Sequence, residues 1–280
     1  MRNQFVLVSI CFTFFFYGYK TNNLENKSTA IDSTFFDSSQ NHMEQNIWSK
    51  IDEQIERVEV VNIQEDSKMK ALTILKEVRK RMGGASKINS IYAFANCISP
   101  NGDKFKTLVQ SRKNDGKMEQ LSGDRHTILK HGVKSWGYNV KSKKYHDSIS
   151  PDIKFFAKSH ELHWLSFWPE TRYSNVTFGG IIDFEGKKAF KLIFKDYKNR
   201  PVNFYYDFTT YLPLAFNLKT NDKGGFVTTY FMSWEQQNGV KIFKKAKLLE
   251  GEKVFHYSFK DLKINILTDF DFESKNNSIK

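Results

Sequence analysis

Leu212-Pro213-Leu214-Ala215-Phe216-Asn217-Leu218-Lys219 alternates apolar and polar positions with a period of two. That is the signature of a strand with one face on a core and one face in water. The rhythm continues outward in both directions. Phe190, Leu192 and Phe194 alternate, then Phe204, Tyr206 and Phe208, then Phe226, Thr228, Tyr230, Met232 and Trp234. Phe255, Tyr257 and Phe259 set one phase, whereas Leu262, Ile264 and Ile266 set the opposite one. The slip predicts a bulge or bend near Asp261. Turn residues at Glu185-Gly186, Asn221–Gly225, Asn238-Gly239 and Glu250-Gly251 fix hairpin connections between these strands. Residues 173–272 therefore read as an antiparallel meander, and the apolar face of such a sheet must be covered.

Upstream, Tyr92–Ile98 and Lys104–Gln110 form two further strands joined by the turn Ser99-Pro-Asn-Gly-Asp103, and weaker strands follow through Tyr145. Before them, Ala71, Leu75, Val78 and Met82 recur on one helical face. Asp66-Ser67 is placed to cap that helix and Gly83-Gly84 to stop it. After Pro151, the residues Ile153, Phe156, Ala157, His160, Trp164, Phe167 and Trp168 fall on one arc of a helical wheel. Phe155, Leu162 and Leu165 lie outside it, so this helix is apolar on more than one side and predicts burial between the sheet and a second layer.

The chain has 280 residues, 15% of them aromatic, with 26 Phe, 12 Tyr and 5 Trp, and a net charge of +12. Residues 1–65 carry a net −4 and residues 66–280 a net +16. A basic domain points to anionic partners, among them phospholipid headgroups or an acidic protein; lysines that keep strand edges soluble give the same balance. Arg2, the apolar run Phe5–Tyr17 and the small Gly18 make a secretory signal over residues 1–19. The run is short for a span of about 20 apolar residues. A lipoprotein reading turns on Cys11, which has the bulky Ile10 before it and sits mid-run. Removal of the signal leaves Cys97 as the one cysteine, with no intramolecular disulfide possible. Residues 20–65 read as a polar, acidic linker with a short amphipathic stretch at Ile47, Ile51 and Ile55, residues 66–273 as the folded domain, and 274–280 as a tail. The expected location is exported, in the periplasm or envelope of a Gram-negative-type bacterium, where nucleic acid is not an expected partner.

No Gly-x-Ser-x-Gly, His-Glu-x-x-His or phosphate-cradling glycine loop occurs. His160 and His163 stand three apart, a spacing that suits a shared metal ion, but no third ligand is marked and His160 lies in the apolar arc. The chain is expected to be no enzyme, with no cofactor and no metal.

Several phrases in order resemble the LolA/LolB-like superfamily, periplasmic carriers and receptors of outer-membrane lipoproteins. They are Met82–Tyr92 after the helix, Asn203-Phe-Tyr-Tyr-Asp-Phe-Thr-Thr-Tyr-Leu-Pro-Leu214, Tyr230-Phe-Met-Ser-Trp234, Asn238–Phe243, Phe259–Asn265 and Thr268–Glu273. The resemblance covers about residues 66–273. It implies an α+β fold: a curved, unclosed antiparallel half-barrel whose concave face is covered by helices. In the carriers that cavity receives lipoprotein acyl chains. The longer acidic linker and the higher aromatic content depart from the dedicated carriers.

Two functions follow as expectations. One is an envelope binding or carrier protein, expected to be a monomer, holding a lipidic ligand (acyl chains or a lipoprotein) in an apolar cavity, with an anionic membrane or an envelope protein as further partner. The other is a protein-interaction or envelope-sensing module on the same fold. The cavity is expected to be lined by Phe156, Trp164, Phe167 and Trp168 from the helix and by Leu214, Phe216, Tyr230 and Met232 from the sheet.

Overall fold

In the computed structural model, residues 64–84, 88–219 and 225–273 are described below. The segments read as signal and linker, up to residue 63, and as tail, from 274, lie outside them, as does most of the Asn221–Gly225 turn. Helix α1 occupies residues 64–81. Thirteen strands follow. They are β1 (Ser90–Ile98), β2 (Lys104–Arg112), β3 (Gly116–Ser122), β4 (Arg125–His131), β5 (Trp136–Asn139) and β6 (Lys144–His146). After α2 (Pro151–Ser159), α3 (Leu162–Phe167) and a 3-10 turn at Pro169–Thr171 come β7 (Ser174–Phe184), β8 (Lys187–Lys195) and β9 (Pro201–Asp207). The chain continues with β10 (Pro213–Lys219), β11 (Phe226–Gln237), β12 (Val240–Glu250) and β13 (Lys253–Ile264), then α4 (Asp269–Glu273).

All thirteen strands form one antiparallel sheet in the order β6-β5-β4-β3-β2-β1-β13-β12-β11-β10-β9-β8-β7. The ends, β6 and β7, do not pair, so the sheet is unclosed, as expected. This order has a mechanical consequence. Two meanders meet along β1 and β13, so the chain leaving β6 at one edge must cross to β7 at the other. The crossing segment carries α2, α3 and the 3-10 turn. It is a strap fixed at both ends.

The expected phase slip is present. Phe94 pairs with Asp261 and Ala95 with Phe259, which leaves Lys260 as the extra residue of a bulge. Because of it, Phe259 and Leu262 both reach the core. The Asn238-Gly239 hairpin takes positive φ at both residues (51° and 80°), the geometry of a two-residue type I′ turn.

Helix α1 lays Ala71, Leu75, Val78 and Met82 on the core. It ends as expected at Gly83 and Gly84, whose φ values are 101° and 77° and whose amides reach back to Lys80 and Arg79. A Cβ on Gly83 would stand 2.0 Å from the Gly239 carbonyl oxygen, so close contact with the β11–β12 hairpin also demands glycine there. The expected cap at Asp66-Ser67 is not the start of the helix. Residues 64 and 65 are already helical, and Ser67 Oγ instead accepts a bond from the Phe178 amide on β7.

The helix expected across Ile153–Trp168 is two helices. α2 closes at His160 with its amide on Ala157, and α3 starts after Glu161. A single wheel over both mixes two axes. Hence Phe155, which that wheel put outside the apolar arc, is buried in the core, as is Ala157, while Phe156 is half-buried. All six residues of α3 are buried, which agrees with an element enclosed on every side.

Candidate functional site

The concave face is an aromatic floor. Phe194, Phe204, Tyr206, Phe216, Phe231, Phe243 and Phe259 project onto it from successive strands, in contact as Phe204 on Phe216 (5.0 Å, stacked) and Phe243 on Phe231 (4.9 Å). Two covers lie on this floor. Helix α1 is tied to the β7 side through Ser67 and to the β11–β12 hairpin through Lys241 N–H donating to the Met82 carbonyl. The strap covers the rest. Its Trp164 ring lies 4.5 Å from Trp168, and Phe167 lies 5.2 Å from Trp168.

Packing under the covers is tight. Phe167, Phe204 and Phe243 are 0% exposed and Phe216 1%, so no water-sized space stands against these rings. Two surface pockets lie away from these rings. One of about 500 Å³ is at the β5–β6 edge, lined by Trp136, Tyr145, Asp147 and Glu273 among others. One of about 280 Å³ lies beyond the 3-10 turn, lined by Glu170, Arg172, Tyr173 and Asp196 among others.

The strap is held to the sheet at a few polar points. The strongest is Glu161, buried in the break between α2 and α3. Arg172 grips its carboxylate through Nε (2.9 Å) and Nη2 (2.8 Å), and the His131 ring on β4 meets Oε1. The same guanidinium donates to the carbonyls of Arg112 and Lys113, anchoring the strap to the β2–β3 turn. Burial alone would push the Glu161 carboxyl up, but Arg172 and His131 outweigh it and hold the group down at about 2. Gly116 makes room for this cluster. A Cβ there would stand 2.3 Å from His131 Nε2 and 2.6 Å from Glu161 Oε1. A second is His163 Nε2 on the Phe243 carbonyl of β12 (3.0 Å), while Trp164 Nε1 donates to Thr171 Oγ1 (2.7 Å) inside the strap itself. A third joins the two covers to each other: Arg79 of α1 donates to Glu170 Oε1 (2.6 Å) and reaches the Phe167 carbonyl.

Orphaned polar groups are buried in this region as well. The hydroxyls of Tyr206 and Tyr173 and Oε2 of Glu170 are buried with no hydrogen-bond partner. Burial pushes both tyrosines upward, and the nearby Glu170 carboxylate adds to the effect at Tyr206. A buried unmade hydrogen bond costs about 1–3 kcal/mol, so each of these hydroxyls calls for a reason.

Of the expected lining residues, Trp164, Phe167, Trp168 and Phe216 come together under or in the strap. Leu214 is the extra residue of a bulge between Pro213 and Ala215. Tyr230 and Met232 are elsewhere. Tyr230 pairs with Ala215 while Phe216 pairs with Thr229, which puts Tyr230 on the convex face; Met232 is 43% exposed. The alternation on β11 was legible, but its phase was not: Val227, Thr229 and Phe231 are the inward set. The two histidines of the strap do not converge on an ion. His163 donates its Nε2–H to the Phe243 carbonyl (3.0 Å), stacks on the Phe243 ring at 3.9 Å and is driven by burial down to about 3; His160 Nδ1 donates to the Phe156 carbonyl. Cys97 is buried, and burial pushes its thiol up to about 12, which leaves it unreactive. His131, Glu161 and Arg172 had no sequence signal, since they lie 30 and 11 residues apart.

No protein-family model matches the chain, and no curated protein matches it significantly in sequence. Solved structures do match. An outer membrane lipoprotein-sorting protein domain, so named, from Vibrio parahaemolyticus superposes with a TM-score of 0.56 at 18% identity, over 73% of this chain and 97% of that one. A LolA superfamily protein from Nitrosomonas europaea gives 0.52 at 12% identity, over 73% and 97%. These identities speak for architecture. The domain has the fold of the LolA superfamily, the family its sequence phrases resemble.

Proposed function

We propose that this is an exported envelope protein that binds a lipidic ligand, acyl chains or the lipid part of a lipoprotein, on the concave face, and that it catalyses nothing. The observation that carries the reading is the nature of the cover. A largely apolar aromatic floor on an unclosed sheet is closed by chain segments held at a few polar points, with no second sheet opposite. Lifting the strap exposes a ready-made apolar groove. An acyl chain gains about 0.8 kcal/mol for each methylene buried, which offsets the packing that Trp164, Phe167 and Trp168 give up. The orphaned hydroxyls of Tyr206 and Tyr173 support the same reading, because a ligand's ester or headgroup supplies the partner they lack. The proposed contacts are Trp164, Phe167 and Trp168 from the strap and Phe204, Phe216 and Phe231 from the floor, with Tyr230 and Met232 left out.

Native mass spectrometry of the protein purified without detergent, before and after addition of a fatty acid and a lipopeptide, tests this. A bound acyl species near one per chain is the expected result. A bare mass in every case sinks the lipid reading. It would favour the second one, a protein-interaction module, which the tightly filled interior supports by itself.

A further inference from the structure

The convex face of the sheet carries a pattern that cargo binding leaves unused. Paired residues of adjacent strands share a face, so one register row can be followed from β2 to β8. Along it stand Lys104, Ile98, His256, Lys247, Tyr230 and Lys191. The neighbouring row brings Lys245 beside Met232. Neither row holds an acidic residue. The carboxylate that reaches this face from the β7–β8 turn, Glu185, accepts the Tyr230 hydroxyl. Among the described residues Lys104, Lys191, Lys245 and Lys247 have no carboxylate partner, and Lys247 stands 4.4 Å over the Tyr230 ring.

Large apolar side chains are exposed among these cations: Ile98 at 45%, Met232 at 43% and, beside Lys219, Phe226 at 43%. Lysines, ring edges and single apolar side chains in one band match the layered chemistry of a bilayer surface, where phosphates lie above the acyl boundary. A convex surface meets a plane along a band, and this band holds four lysines that have no carboxylate partner among the described residues.

We propose that the convex face around Lys245, Lys247 and Met232 docks on an anionic phospholipid surface. The docking does not depend on cargo, so the concave groove faces away from the membrane while the protein is held there.

Flotation of the full protein with vesicles of phosphatidylcholine alone, and of phosphatidylcholine mixed equally with phosphatidylglycerol, tests it. Binding is expected on the mixed vesicles, weakening as salt rises. Lys245→Gln with Lys247→Gln should weaken it about 30-fold, from roughly a factor of five for each lysine near the surface. Lys68→Gln with Lys76→Gln on α1, the same loss of charge at another place, should leave it unchanged. Amine-reactive labelling of the unaltered protein gives a check without variants: mixed vesicles should protect Lys245 and Lys247 and spare neither Lys68 nor Lys76. Equal binding to neutral vesicles would report acyl uptake by the groove and overturn the docking face. So would an equal loss in the α1 pair, protection spread evenly over all four lysines, or no binding at all.

Discussion

Glu161 shows how one buried charge organises the strap. Its carboxylate is stabilised only while Arg172 and His131 face it, so removing one partner is costly. Arg172→Met should lower stability by about 3–5 kcal/mol in denaturant titration, and adding Glu161→Met should recover much of that, because the stranded charge is then gone. Acid behaviour follows from two groups. Glu161 titrates in the fold at about 2 against 4.5, so its contribution is complete above pH 4.5 and is lost as pH falls toward 2. His163 is held neutral, at about 3 against 6.5, so protonation of the unfolded chain erodes stability as pH falls from 6.5 toward 3. Thermal midpoints should therefore begin to drop near pH 6.5 and drop further below 4.5, and His163→Phe should flatten the first part of that decline. Tyr206→Phe separates stability from function. It should leave the fold as stable or more stable by about 1 kcal/mol, because it removes an unmade hydrogen bond, while weakening ligand retention in the mass-spectrometric assay. A wild-type affinity would detach the orphaned hydroxyl from binding.

Among the elements, the strap and β13 carry the most information. The strap is held at both edges by strand order, so the lipid-binding proposal requires it to open by bowing outward at the seam. Arg79→Ala removes the link between α1 and the strap and should speed uptake of a fluorescent fatty acid several-fold without a large loss of stability, since the Arg79–Glu170 pair is a quarter exposed. An unchanged uptake rate would place the opening elsewhere. Trp164 belongs to the core, 3% exposed and hydrogen-bonded to Thr171, so Trp164→Ala should cost about 3–5 kcal/mol by itself. The half-buried Trp168 is the better probe of retention. In β13 the extra residue Lys260 keeps both segments of the strand in phase with the core. Its deletion should turn Leu262 and Ile264 to the convex side and unfold the β1–β13 junction, read as loss of the cooperative transition.

For the whole molecule, the strand order decides what the covers can do. A sheet this long with no opposing sheet leaves its concave face to α1 and to a segment that the topology forces across it. The same curvature turns the lysine rows outward, so an apolar face and a basic face lie back to back. Lipid cargo on one side and a membrane on the other are compatible on that geometry, and the mass-spectrometric and flotation experiments address them separately.

Much of this was legible in order along the chain. Strand alternation, the Asn-Gly and Gly-Gly punctuation and the opposed phases around Asp261 report local geometry: side chains alternate every two residues, and glycine marks left-handed backbone wherever it is needed. They were enough to place the meander, the bulge and the end of α1. Which side of β11 faces inward was not legible, because a strand with Tyr230 and Met232 on one side and Val227 and Phe231 on the other is apolar on both. The break in the strap was hidden too, since a helical wheel assumes one axis and nothing nearby announces that Glu161 must turn toward Arg172 and His131. Sequence by itself determined the sheet and its rhythm. Only the tertiary structure decided the buried charge, the orphaned tyrosines and the faces, because those depend on which distant residues the crossing strap brings within reach of one another.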